Sequence, residues 1–166
     1  MNIDLLNKLQ PEEARNHLYH CLSCNDWVDG MLALMPFQND DSLRVAAQRL
    51  FAELNEPHLL EAFDGHPKIG DVNSLKKKYA ATQSMAGHEQ SGVNVASDQV
   101  LLDLARGNAA YEERFGFIFI VCATGKSASE MLELLQTRLP NDRADELANA
   151  AAEQLKITLL RLEKIL

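Results

Sequence analysis

The sequence predicts an all-α protein. Apolar residues recur at helical spacing through most of its 166 residues, and prolines and capping residues fall at the ends of these periodic segments. Period-two alternation is almost absent, confined to Phe117–Cys122. We expect a single domain over 1–166, a bundle of about eight helices joined by irregular loops, because a chain of this length can bury a sizeable core.

Pro11, followed by Glu12 and Glu13, predicts a helix start, with acids at the positive end of the dipole. Ala14, Leu18, Cys21 and Leu22 then share a face. Asn25-Asp26 is expected to cap a second segment carrying Trp27, Met31 and Leu34, which Pro36 ends. Asp40-Asp41-Ser42 is expected to cap a third, with Leu43, Ala46, Ala47, Leu50, Phe51 and Leu54 as its apolar stripe. A short helix follows from about Pro57 to Phe63, and another, basic at Lys76, Lys77 and Lys78, around Leu75 to Ala81. Ser97 is expected to cap a helix holding Val100, Leu101, Leu104, Ala105 and Tyr111. Ser127 to Leu139 reads as helical, with Met131, Leu132 and Leu135 inward and Pro140 as its stop. Asn141 is expected to cap a final long helix whose seam is Leu147, Ala148, Ala151, Leu155, Thr158, Leu162 and Ile165. By pattern alone Phe117–Cys122 is a buried strand, but it has no mate in the chain, and a lone strand leaves backbone groups unpaired. The run therefore reads as an extended entry into a helix, with backbone groups available to bond something else.

The net charge of −8 argues against a nucleic-acid backbone or an anionic membrane as partner. It leaves room for an anionic small substrate, since local charge can oppose net charge. The N-terminal Met-Asn-Ile-Asp-Leu-Leu has no basic leader, no apolar run reaches transmembrane length, and the C-terminal Glu-Lys-Ile-Leu matches no retention tail, so a cytoplasmic location is expected. Three cysteines form no disulfide framework.

Chemistry is expected in three irregular pieces: Phe63 to Asp71, Gly87 to Gly92, and Arg114 to Ala123. In Gly-His-Pro, Pro67 keeps His66 out of the α conformation, and Gly65 and Gly70 permit turns on either side. A rigid imidazole titrating near neutrality suits a general acid or base; the plainer reading is a loop histidine bonding a carbonyl, and spacing does not separate the two. Glu89 and Gln90, between Gly87 and Gly92, could grip a polar heterocycle or form a solvated loop. His17, His20, Cys21 and Cys24 look like a metal set, but one straight helix cannot wrap four ligands around an ion, so no metal is expected. Cys21-Leu-Ser-Cys24 lacks the βαβ surroundings of a redox motif, and Cys122 reads as a small buried hydrophobe. The three lysines read as a solvated face.

Taken together, His-Pro-x-Ile-Gly at 66 to 70, Glu-Gln at 89 and 90, and Asn-x-x-Tyr-x-x-Arg-Phe-Gly-Phe-x-Phe at 108 to 119 resemble the 2-oxo-4-hydroxy-4-carboxy-5-ureidoimidazoline (OHCU) decarboxylases. Arg138 to Asp142 and Lys156 to Leu162 extend the resemblance over nearly the whole chain. It implies the all-α fold of that family, a homodimer, and cofactor-free formation of (S)-allantoin as the last step of urate breakdown. It implies catalytic roles for His66 and Glu89. Substrate contacts are implied for Pro67, Ala86, Gly87, His88, Gln90, Arg161, and the backbone of Ile118, Phe119, Ile120, Val121 and Cys122. Lys68 and Ile118 depart from the family's usual residues. A carboxylate at 89 beside the imidazole would favour imidazolium. Two other readings compete: a helical interaction module that uses the Phe-rich run as a groove, and a metal-dependent hydrolase built on His66, Asp71, His88 and Glu89.

Overall fold

The computed structural model describes residues 1–67 and 94–166, with the backbone alone at 94–97. Among the described residues there are eight α-helices and no strand: α1 (Ile3–Lys8), α2 (Pro11–Cys21), α3 (Asn25–Leu34), α4 (Asp40–Ala52), α5 (Glu56–Asp64), α6 (Asn94–Phe115), α7 (Ala128–Arg138) and α8 (Arg143–Ile165). The helix expected around Leu75 to Ala81, with its three lysines, lies outside the described residues. Two compact units share the chain: Met1–His66 with Ala151–Leu166, and Pro67–Ala150. The division falls within α8.

In the first unit α2 packs on α3 and α3 on α4. Ala14, Leu18, Cys21 and Leu22 are all buried, as the spacing predicts, and the last three join a core with Trp27, Val28, Met31, Leu43, Ala47 and Phe51. The Trp27 indole N–H, which burial would otherwise leave costly, donates to the Ala47 carbonyl at 3.1 Å. In the second unit α6 packs on α7, closely enough that a Cβ at Gly107 would lie 2.4 Å from Leu135 Cδ2. Leu101, Leu104 and Tyr111 on the first of these helices and Met131 and Leu135 on the second are buried. Gly116, at φ +81°, turns the chain out of α6 in a conformation that favours glycine. Residues 118–123 that follow carry no regular secondary structure, so the Phe-rich run is an irregular entry toward α7 and not a strand.

Several local expectations are corrected. The short helix α1, capped by Asn2 accepting from the Leu5 amide, was not predicted; six residues carry too little periodicity to show. Asn25 does not cap α3, whose cap position is Cys24; its side chain donates to Glu61 instead, at 3.2 Å. Leu34 is 39% exposed, and Val28 takes the buried place on α3. The cap of α4 is Asn39, one residue earlier than expected, in a reciprocal capping box with Ser42. Helix α6 begins at Asn94, before Ser97.

The largest correction concerns α8. Asp142, not Asn141, caps it, accepting from the Asp145 amide at 2.8 Å. Ala148 is exposed. The buried row is Glu146, Ala150, Gln154, Thr158 and Leu162, a strict four-residue spacing in which three members are polar. Residues 147, 151 and 155 flank that row and are only half-buried. Buried polar groups demand partners, and the two units satisfy theirs in different ways.

Candidate active site

His66 follows the C-terminal turn of α5. Helix α5 is set by the Asn55–His58 capping box, with Pro57 in its first turn, and ends at Asp64. Gly65 there has φ −73° and ψ −11°, a conformation open to any residue. Its glycine is required for another reason: a Cβ would sit 2.4 Å from both Cβ and Oγ of Ser23. The turn that carries His66 thus lies directly against the α2–α3 connection, which corrects the expectation that Gly65 serves backbone freedom. The His66 amide closes the turn on the Phe63 carbonyl at 3.1 Å. The ring is half-buried, and its Nε2 lies 2.5 Å from Gln154 Oε1. Gln154 is in turn bonded to Thr158, its amide donating to the threonine hydroxyl at 3.2 Å while that hydroxyl donates to the Gln154 carbonyl at 2.9 Å.

Arg161 belongs to the same unit. It lies seven residues after Gln154, about two helical turns or roughly 10 Å along the axis and nearly on the same side of α8. Its Nη1 donates to the His20 carbonyl at 3.3 Å, at the end of α2. The same guanidinium charge works against burial at Cys21, yet burial wins and pushes that thiol up to about 11. Burial likewise raises Cys24. Neither thiol has the lowered pKa that a redox or nucleophilic cysteine needs.

In the second unit, the run 118–122 is held by cations. Arg138 Nη1 donates to the Ile120 carbonyl at 2.7 Å, and Lys126 Nζ donates to the Cys122 carbonyl at 2.8 Å. Two of the carbonyls expected to face a ligand therefore already have charged donors. Arg138 is itself fixed by Glu146, its Nε donating to Oε1 at 2.7 Å. Glu146 also accepts from the Tyr111 hydroxyl at 2.7 Å, from Asn141 at 2.9 Å and from Asn149 at 2.7 Å. Burial alone would raise this carboxyl, but the four donors outweigh it and hold its pKa below the ordinary carboxylate value. Burial, and the bond to Glu146, push the Tyr111 phenol up. The Arg138 guanidinium lies over the Phe119 ring at 4.7 Å, and Tyr111 meets Phe119 edge-on at 5.3 Å. Arg114 donates to the carbonyls of Pro140 and Asn141, at 3.3 and 2.9 Å. The Tyr-x-x-Arg-Phe-Gly-Phe-x-Phe pattern thus supports the run from behind.

Among the residues expected to form the site, His66, Pro67, Ile118 to Cys122 and Arg161 are described. Asp71, Ala86, Gly87, His88, Glu89 and Gln90 lie outside the described residues. Sequence reasoning missed Gln154, Arg138 and Glu146 as supports, because a polar residue inside a helical period carries no hydrophobic signal. Among the described residues no three His, Cys, Asp or Glu side chains are grouped to hold a metal ion, and no helix is long and apolar enough to cross a membrane.

The helical fold has known counterparts. The family model for OHCU decarboxylase matches residues 7–163, and the chain belongs to that family. It is 33% identical over 145 residues to the uric acid degradation bifunctional protein TTL of Arabidopsis thaliana, covering 87% of this chain and 45% of that protein. It is 35% identical over 101 residues to the 2-oxo-4-hydroxy-4-carboxy-5-ureidoimidazoline decarboxylase of Amia calva, covering 61% of this chain and 57% of the relative. The chain thus spans about half the length of these two curated relatives. A crystal structure of OHCU decarboxylase determined in the presence of (S)-allantoin superposes with a TM-score of 0.71 at 30% identity, covering 95% of this chain and 98% of that one. That of an (S)-allantoin synthase gives 0.69 at 16% identity, covering 99% of this chain and 54% of the other, and shows the fold alone.

Proposed function

We propose that this chain decarboxylates 2-oxo-4-hydroxy-4-carboxy-5-ureidoimidazoline to (S)-allantoin, without metal or organic cofactor, in urate breakdown. The observation that carries the reading is the family match over residues 7–163. The half-buried imidazole of His66, fixed at 2.5 Å on a buried amide, supports it from the side of the chemistry.

The substrate brings its own electron sink. Its carboxylate stands on a hydroxyl-bearing carbon next to an imine carbon. When the carbon–carboxylate bond breaks and CO2 leaves, that electron pair forms a carbon–carbon double bond, and the imine electrons move onto nitrogen, which takes a proton. The resulting enol loses its hydroxyl proton as the carbonyl forms, and the neighbouring carbon takes a proton on one face. The protein must orient the ring, exclude water and supply that handed proton transfer. In this reading His66 exchanges protons with the hydroxyl or the new carbon–hydrogen centre, and Glu89 orients the hydroxyl. Arg161 clamps the anionic carboxylate. Gln90 reads the ring together with amides of the run 118–122, since the Ile120 and Cys122 carbonyls already accept from Arg138 and Lys126.

A cytoplasmic enzyme acting as a homodimer completes the proposal; Cys21 and Cys24 are buried thiols rather than a disulfide, as suits a reducing compartment. The test is to add purified protein to freshly oxidised urate and follow the circular dichroism of the product. Single-handed allantoin should appear at a rate proportional to protein concentration. Racemic product at the spontaneous rate would overturn the proposal.

A further inference from the structure

The chain Thr158–Gln154–His66 has a direction, and the direction carries chemical information. Gln154 is 1% exposed and Thr158 fully buried, so no solvent competes for their polar atoms. The threonine hydroxyl has one proton, and it is donated to the Gln154 backbone carbonyl at 2.9 Å. Its oxygen is then left to accept, and accepts from the Gln154 amide nitrogen at 3.2 Å. That bond turns the amide so that Oε1, which can only accept, points at His66. The ring nitrogen 2.5 Å away must therefore carry a hydrogen. In a neutral imidazole only one nitrogen does so.

We propose that Gln154 is a positioning residue that holds His66 as the Nε2–H tautomer, so that Nδ1 is the nitrogen exchanging protons with the substrate. This rests on the catalytic reading of His66 and goes beyond it by naming the reactive nitrogen and the residue that selects it. A neutral amide suits the task. A carboxylate at 154 would also orient the ring but would favour imidazolium, the form that cannot accept a proton. Thr158 acts one step further back, because without its hydroxyl either face of the amide could turn toward the ring.

The test pairs a spectroscopic readout with kinetics. Long-range proton–nitrogen correlation spectra of the substrate-free protein, labelled with 15N-histidine, report the tautomer of His66 directly. The wild type should show Nε2 protonated and Nδ1 unprotonated in the neutral ring. Gln154→Met, of similar length but without hydrogen bonds, should mix the tautomers. It should also lower kcat on the order of tenfold to a hundredfold with little change in KM, as loss of a histidine's orienting partner does elsewhere. Gln154→Glu, which keeps an acceptor in place, should keep Nε2 protonated but shift the ring toward imidazolium. An Nδ1–H tautomer in the wild type would overturn the proposal, and so would a Gln154→Met protein that folds and turns over at the wild-type rate. Full activity in His66→Gln would instead sink the catalytic reading of His66, while the spectra would still decide whether Gln154 sets the tautomer.

Discussion

Replacing His66 with glutamine is expected to reduce kcat and kcat/KM together, by about 10²- to 10⁴-fold, the range that a positioned general acid or base supplies. Glutamine is chosen because its side-chain amide can still donate to Gln154 Oε1, where the imidazole Nε2 now lies at 2.5 Å. The turn closed by the His66 amide on Phe63, and the approach of Gly65 to Ser23, are untouched by the change. Folding should therefore be preserved while the titrating nitrogen is lost. Because the substrate decays by itself, the residual rate has to be read against a protein-free control. Retained handedness in the product at an undiminished rate would remove His66 from the reaction.

The second large effect is on stability. Arg138→Met should destabilise the protein by about 3–5 kcal/mol, since it strands the fully buried Glu146 carboxylate without its cation. Against a typical total of about 5–15 kcal/mol, that is a large share. Removing both charges, as Arg138→Met with Glu146→Leu, should cost less than the sum of the single changes, because no buried charge is then left alone. Chemical denaturation of the three variants measures the coupling. The network also has a defined pH dependence. The folded pKa of Glu146 lies below its ordinary value of 4.5, so its contribution is complete above that value and is lost as pH falls through the folded pKa. Glu146→Gln should therefore be least stable relative to wild type near neutrality and converge on it in acid. An unchanged difference down to pH 3 would contradict the assignment. Since Arg138 also holds the Ile120 carbonyl at 2.7 Å, the variant that still folds should bind substrate more weakly.

Much of the helical frame could be read from the sequence because the relevant signals are local. Pro11, Pro57, Ser127 and Pro140 mark helix ends where the structure has them. The stripe Leu43, Ala46, Ala47 and Phe51 is buried as its period requires. The exceptional character of 117–122 was also legible, since a lone apolar run without a mate has to bond something other than a strand. What stayed hidden is the polar interior. The seam read from the sequence shares Thr158 and Leu162 with the buried row of α8, but earlier in the helix it follows Leu147, Ala151 and Leu155, one position around from the buried Glu146, Ala150 and Gln154. The partners are distant as well: Gln154 meets His66 88 residues away, and Glu146 meets Tyr111 35 residues away. No pattern within a helix announces such pairs. Gly65 shows the same limit, for its reason is the side chain of Ser23 and not its own φ.

The most direct measurement follows the bond that breaks. Urate carrying 13C at the carbon that becomes the carboxylate is oxidised freshly, the protein is added, and labelled CO2 and bicarbonate are followed by carbon NMR. Release should accelerate in proportion to protein concentration and fall back to the protein-free rate with His66→Gln. Label leaving at the spontaneous rate, whatever the amount of folded protein present, would contradict decarboxylation by this chain.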